Sequence, residues 1–190
     1  MTQAAVLIDN MYLQNMSDFF NIHKIDIPKF SRHLLNEDET LFRTFVFDAL
    51  PYIPNEPTPE QLQRKKDKAD YFNRLKYFDR VVVEEGYVKG KDVKCPSCYT
   101  WFKNPVQKAV DVKISVRLLE LALHKKVSII VLVSGDGDLV PAVEAANQSD
   151  AAVRLRYTLV PGARTSSVLI KTCPEQSELK REDLEYCRLV

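Results

Sequence analysis

Apolar residues along this chain recur with two periods, and their alternation predicts the fold. Ala4 to Ile8 is an unbroken apolar run closed by Asp9-Asn10, as expected of a parallel strand covered on both faces. Tyr12 to Phe20 predicts the helix that follows, and Ile27 to Leu35 another helical turn or two. Leu41 to Leu50 is aromatic and β-branched and predicts a second strand. The segment from Pro51 to Pro59 carries four prolines, which break regular structure, so it reads as a loop inside the domain. Arg64 to Phe78 returns to helix, with Ala69, Phe72, Leu75 and Phe78 as its apolar stripe and Lys65, Lys68 and Lys76 away from it. Val81 to Val88 is β-rich. Lys108 to His124 gives the strongest helical pattern, with Ile114, Leu118, Leu121 and Ala122 inward and Pro105 just before or within its first turn. A strand over Ser128–Val133, a helix over Leu139–Asn147 and a strand over Ala152–Tyr157 follow. Ser166–Ile170 suggests one more strand, and Glu175–Tyr186 a polar, peripheral terminal helix.

The resulting order, β-α-β-α-β-α-β with short connections, belongs to an α/β domain on a mainly parallel sheet. A chain of 190 residues has room for one well-buried domain and a small appendage. We expect a main unit over residues 1–160, with an insertion at about 86–107, and an extension over 161–190 packing on it. A 45% hydrophobic and 28% charged composition is that of an ordinary soluble protein. The net charge of +1 argues against a surface that binds polyanions everywhere, yet it leaves room for a local basic face. No segment has the pattern of a secretion signal or the length of a membrane span, so a cytoplasmic location and no membrane partner are expected. Four cysteines without a secretion signal do not suggest a disulfide scaffold.

Acids at strand ends carry the chemistry. Asp9 ends the first strand, and Asp136 and Asp138 lie in Ser134-Gly135-Asp136-Gly137-Asp138, directly after the run Val127–Val133. Asp111 begins the main helix. Open parallel sheets bind ligands beyond the carboxyl ends of their strands, where the strand order reverses. Clustered carboxylates raise one another's pKa unless a cation or donors compensate. Oxygen ligands of this kind suit Mg²⁺ or Mn²⁺, which can activate a water for phosphodiester cleavage. Gly135 and Gly137 are expected to give the turn its backbone freedom. Plainer roles exist for each acid. Asp138 suits a helix N-cap, Asp111 a partner for the helix dipole, and Asp9 an acceptor for a neighbouring loop's amides.

Three blocks in this order, Ile8-Asp9-Asn10, Lys108-Ala109-Val110-Asp111-Val112-Lys113 and Val133 to Leu139, make residues 4–158 similar to a NYN domain, in the LabA-like branch of the PIN-like ribonuclease superfamily. Pro141 and Val153 extend the likeness. The resemblance implies a PIN-like three-layer α/β/α domain and Mg²⁺- or Mn²⁺-dependent endonuclease chemistry on RNA. Asp9, Asp111, Asp136 and Asp138 would hold the metal, and Asn10 and Ser134 would bond to its water or to the substrate phosphate. The chain departs from the family pattern at Arg117, where many members carry an acid, and at Tyr12, Ala109 and Leu139. A guanidinium at Arg117 could weaken metal affinity or contact phosphate directly.

Between Gly86 and Lys113 stand Lys89, Lys91, Lys94, Lys103, Lys108 and Lys113 against Asp92 and Asp111, interleaved with Tyr87, Tyr99, Trp101 and Phe102. Lysines can neutralise phosphates while exposed aromatics stack on unpaired bases, which favours single-stranded RNA; the same aromatics could equally be core. Lys108 and Lys113 flank Asp111 and would lie near a bound phosphate. Cys95-Pro-Ser-Cys98 forms half of a zinc knuckle, whereas a structural zinc takes four ligands. Cys173 and Cys187 could complete it, or a homodimer could pool two knuckles; a reduced turn and a redox pair are the alternatives. His23, His33 and His124 have no ligand spacing.

The leading reading is a metal-dependent endoribonuclease, and the alternative a catalytically weak or inactive RNA-binding or regulatory module on the same fold. Phosphatase or receiver chemistry fits poorly. Met11 stands where a dehalogenase-like phosphatase needs a second aspartate, and Asp48 ends its strand without the paired acids of a receiver.

Overall fold

In the computed structural model, which describes residues 2–189, the chain runs β1 (Thr2–Asp9), α1 (Asn10–Phe19), α2 (Ile27–His33), β2 (Glu39–Asp48), α3 (Pro59–Lys76), β3 (Val81–Glu85), β4 (Tyr87–Lys94) and β5 (Trp101–Lys108). It continues with α4 (Val110–Leu123), β6 (Ile129–Val133), a 3-10 turn (Gly137–Leu139), α5 (Val140–Ala146), β7 (Ala152–Tyr157), α6 (Ser167–Thr172), β8 (Glu175–Glu178) and α7 (Arg181–Tyr186). Each side chain from Ala4 to Ile8 is fully buried. A strand is apolar on both faces only where neighbours flank it and helices cover both sides, and β1 meets both conditions. It pairs in parallel with β2 and with β6, inside a six-stranded sheet ordered β3-β2-β1-β6-β7-β8 whose pairings are all parallel.

Alternation along the strands divides the core in two. Ala5, Leu7, Phe47, Leu132 and Leu155 pack against α4, α5 and α6, while Val6, Ile8, Val46 and Val133 pack against α1, α2 and the end of α3. The result is a three-layer α/β/α domain with a mainly parallel sheet. Ile114, Leu118, Leu121 and Ala122 do form the inner face of α4, each at most 1% exposed. In α3 the burial is narrower: Phe72 and Leu75 are buried, but Phe78, past the helix end, is half exposed. That helix also starts earlier than its apolar pattern, because Thr58 and Gln61 form a capping box and Pro59 occupies the first turn.

Three expectations are corrected. Residues 166–170 belong to a helix, because Leu169 and Cys173 bury together at a spacing of four and Ile170 and Cys173 donate back to Ser166 and Leu169. The segment from Glu175 opens as the edge strand β8 rather than as helix; Glu175 meets the buried Arg154 on β7 at 2.5 Å, and only residues 181–186 are helical. Pro105 lies in β5, opposite Gly90 of β4, five residues before α4. These two strands form an antiparallel hairpin outside the main sheet, and proline is tolerated where a strand has a free edge.

The entry to α4 is instead made by Ala109, at φ 67° and with no side-chain cap. A residue with a Cβ is strained there, and the strain is concentrated one turn from Asp111. We therefore predict that Ala109→Gly stabilises the protein by about 0.5–1 kcal/mol, raising Tm by ~2 °C in a thermal melt.

Candidate active site

At the carboxyl edge of the sheet β1 and β6 separate, since the strand order turns between them. Asp9 ends β1 and caps α1, accepting from the Tyr12 N–H at 3.2 Å. Ser134, fully buried after β6, donates its hydroxyl to Asp9 Oδ2 at 3.3 Å and accepts from the Asp136 N–H. Asp136 in turn caps the 3-10 turn by accepting from the Asp138 N–H at 2.9 Å. The capping role expected for Asp138 thus falls two residues earlier, and Asp138 stands exposed at the rim. Asp111 reaches the same edge from the first turn of α4.

Asp9, Asp111 and Asp136 line one cleft of about 350 Å³, with Gln107, Gly135 and Arg164 among the other walls. Its electrostatics bear the mark of crowded charge. Burial, and then the charges of Asp111 and Asp48, outweigh the Tyr12 and Ser134 hydrogen bonds and push Asp9 up to about 6. Asp111 is also raised, by desolvation and by Asp136 and Asp138, with Lys108 opposing. Gly135 is required for space rather than for torsion, as its φ is not positive. A Cβ there would stand 2.5 Å from the Tyr12 ring, and Tyr12 is fixed by bonds from its hydroxyl to Thr165 Oγ1 and from the Thr158 N–H, both 2.6 Å.

Two residues are placed away from the roles their sequence suggested. Asn10 is buried; its amide donates to the Asp48 carboxylate, and its carbonyl accepts from Tyr71 at 3.4 Å, so it faces the back of the site. Arg117 bonds to Glu84 at 2.7 Å and Glu120 at 2.6 Å and stacks on Phe45 at 4.8 Å. It is not among the charges shifting Asp9 or Asp111, because six helical residues carry it down α4 and off to one side. Lys113 is half-buried on α4 and does not line the cleft.

Sequence reasoning passed over Arg164 and weighed Asp48 only as a receiver acid. Asp48 ends β2 beside Asp9 and is only 3% exposed, paired with Lys68 at 2.5 Å. Its signal, an acid closing an apolar strand, was the same as that of Asp9. Arg164 comes from the loop after β7, which has no motif.

Among the described residues no three His, Cys, Asp or Glu side chains converge tightly enough to hold a metal ion. The donor chemistry nevertheless fits a hard divalent cation. The cleft's acids offer oxygen alone, their repulsion raises Asp9 and Asp111 despite Lys108, and Mg²⁺ needs only one or two carboxylates plus waters. Cys173 and Cys187 cannot complete a zinc knuckle. Both are buried in the cores on opposite faces of the sheet, where burial raises each thiol to about 11.

The model of the NYN domain family matches residues 3–180. A solved structure of a protein of unknown function from Vibrio parahaemolyticus is 22% identical, with a TM-score of 0.59 over 96% of this chain and 95% of that one, which shows a shared fold. No curated protein matches the chain.

The raised pKa of Asp9 has a sign in stability. The folded state favours neutral Asp9, so its contribution is full below the unfolded carboxyl's 3.8 and is lost as pH rises through about 6. Asp9→Asn retains an acceptor for the cap. In EDTA, thermal melts from pH 4 to 7 should show Asp9→Asn gaining on the wild type as pH rises, and Mn²⁺ at pH 7 should lift Tm of the wild type alone.

Proposed function

The chain belongs to the NYN domain family, and from that premise we propose that it is a metal-dependent endoribonuclease acting on single-stranded RNA. The family gives a PIN-like nuclease fold. The observation that carries the finer reading is the cleft at the turn of strand order, lined by Asp9, Asp111 and Asp136, where burial and neighbouring acids raise Asp9 and Asp111. Asp9, Asp111 and Asp136 would hold Mg²⁺ or Mn²⁺, which would supply a water of lowered pKa and offset charge on the phosphodiester. The protein's part is to fix the carboxylates: the α1 cap and Ser134 orient Asp9, and the 3-10 turn orients Asp136. Arg164 in the cleft wall and Lys108 beside Asp111 are the cations placed to hold a phosphate.

A second cavity of about 560 Å³ runs between α3 and the β4–β5 hairpin and shares Met11 and Gln107 with the cleft. Tyr52, Arg64, Lys68 and Lys103 line it. In this groove Lys68 is paired with Asp48 and Lys103 with Asp92, which leaves Arg64 and the Tyr52 ring as the groups that could meet a strand's phosphate and base. Tyr87 is 58% exposed and pairs across the hairpin with Lys108, which extends this surface toward the cleft. Among the described residues no helix is long and apolar enough to cross a membrane.

The lack of a tightly converging ligand trio favours, as the second reading, an RNA-binding module without cleavage. One assay separates the two. With labelled single-stranded RNA in Mn²⁺ or Mg²⁺, we expect endonucleolytic products that vanish in EDTA and fall by about two orders of magnitude or more in Asp136→Asn. RNA retained on filters by wild-type protein that yields no product in either metal would establish the binding module instead.

A further inference from the structure

The β4–β5 hairpin ends in Cys95-Pro-Ser-Cys98, a feature to which the cleft and the groove assign no role. The turn is tightly built. The Cys95 N–H donates to the Thr100 carbonyl and the Tyr99 N–H to the Cys95 carbonyl, both at 2.9 Å, while Tyr99 takes φ 59° to turn the chain back. Positive φ at a tyrosine is uncommon and costly, so the tip holds a fixed shape against its own torsional preference. That shape sets Cys95 and Cys98 together at the tip of the hairpin, on the turn between paired strands. Cys98 is exposed and Cys95 partly so, and neither is in a disulfide.

Two preorganised thiols make half of a tetrahedral zinc site, and structural zinc takes four ligands. The chain has two further cysteines, both locked in opposite cores, and among the described residues no histidine, aspartate or glutamate forms a ligand trio with the pair. The missing ligands must come from elsewhere. We propose that Cys95 and Cys98 of two copies of this chain together bind one Zn²⁺, joining the hairpin tips in a homodimer.

Charge and surface support a second copy as the partner. Each hairpin carries Lys89, Lys91, Lys94, Lys103 and Lys108 against Asp92, so two tips repel one another when empty. A Zn²⁺ with four thiolates carries two negative charges, and its assembly releases the four thiol protons, so it offsets that repulsion. Tyr99 and Trp101, 68% and 65% exposed at the tip, are apolar surface for the facing tip to cover.

The inference does not depend on the nuclease reading, and its test reads metal and mass rather than cleavage. Reduced protein is loaded with Zn²⁺, freed of excess metal, and measured by elemental analysis and by light scattering on a sizing column. The expected result is one zinc per two chains in a dimer that becomes monomeric on chelation. Co²⁺ in place of zinc should give the intense visible absorption of tetrahedral thiolate ligation. Cys98→Ser, at an exposed position, should keep the melting profile of the metal-free wild type but lose both metal and dimer. One zinc per monomer, no retained metal, or a dimer that survives both chelation and Cys98→Ser overturns the proposal.

Discussion

Strand β1 has hydrogen-bonded neighbours on both sides and packed helices on both faces, and the rest of the molecule is arranged by that fact. Because β2 and β3 extend the sheet one way and β6 to β8 the other, the connections leave β1 and β6 on opposite faces. Right-handed crossovers then place α1, α2 and α3 on one side and α5 and α6 on the other. No helix can cover the ends of both central strands, so the chain leaves a cleft there. The five buried side chains of β1 fix the strand's position, and with it the place of Asp9.

The charges around that cleft are treated unequally. Asp48 is buried, pairs with Lys68 and accepts from the Asn10 amide. Asp9 receives only a helix cap and a serine, which do not match its desolvation and its acidic neighbours. Arg117, the cation the sequence set near this site, lies further down α4 and is tied to Glu84 and Glu120. Natural chains concentrate such unrelieved cost where a ligand is to be bound.

Much of this was legible in the sequence, for reasons that also explain what was not. Continuous apolar runs at Ala4–Ile8 and Ile129–Val133 have few alternatives to buried parallel strands, and strand-end acids follow from them. The period of α4 was equally plain. Where local pattern is short or polar, tertiary contacts decided: Glu175 became strand because buried Arg154 draws it to the sheet edge. Ser167–Thr172 became helix because only that winding buries Leu169 with Cys173. Arg117 was misplaced because sequence distance from Asp111 says nothing of which side of α4 it occupies. Arg164 had no local signal at all. The exposure of the hairpin aromatics was open in the sequence, because a two-stranded hairpin has too little covering layer to bury them.

Strand β8 carries a consequence for solubility. A sheet that ends in an unpaired strand offers its free amides and carbonyls to any extended chain that passes, which is the usual start of edge-to-edge aggregation. Here that outermost strand is four residues long, Glu175-Gln176-Ser177-Glu178, all exposed, with a carboxylate at each end. A second β8 laid against it in parallel register would set glutamate beside glutamate, and one so short returns too few backbone bonds to offset that repulsion. The same arginine contact that recruits this segment therefore ends the sheet with a guard against its own growth.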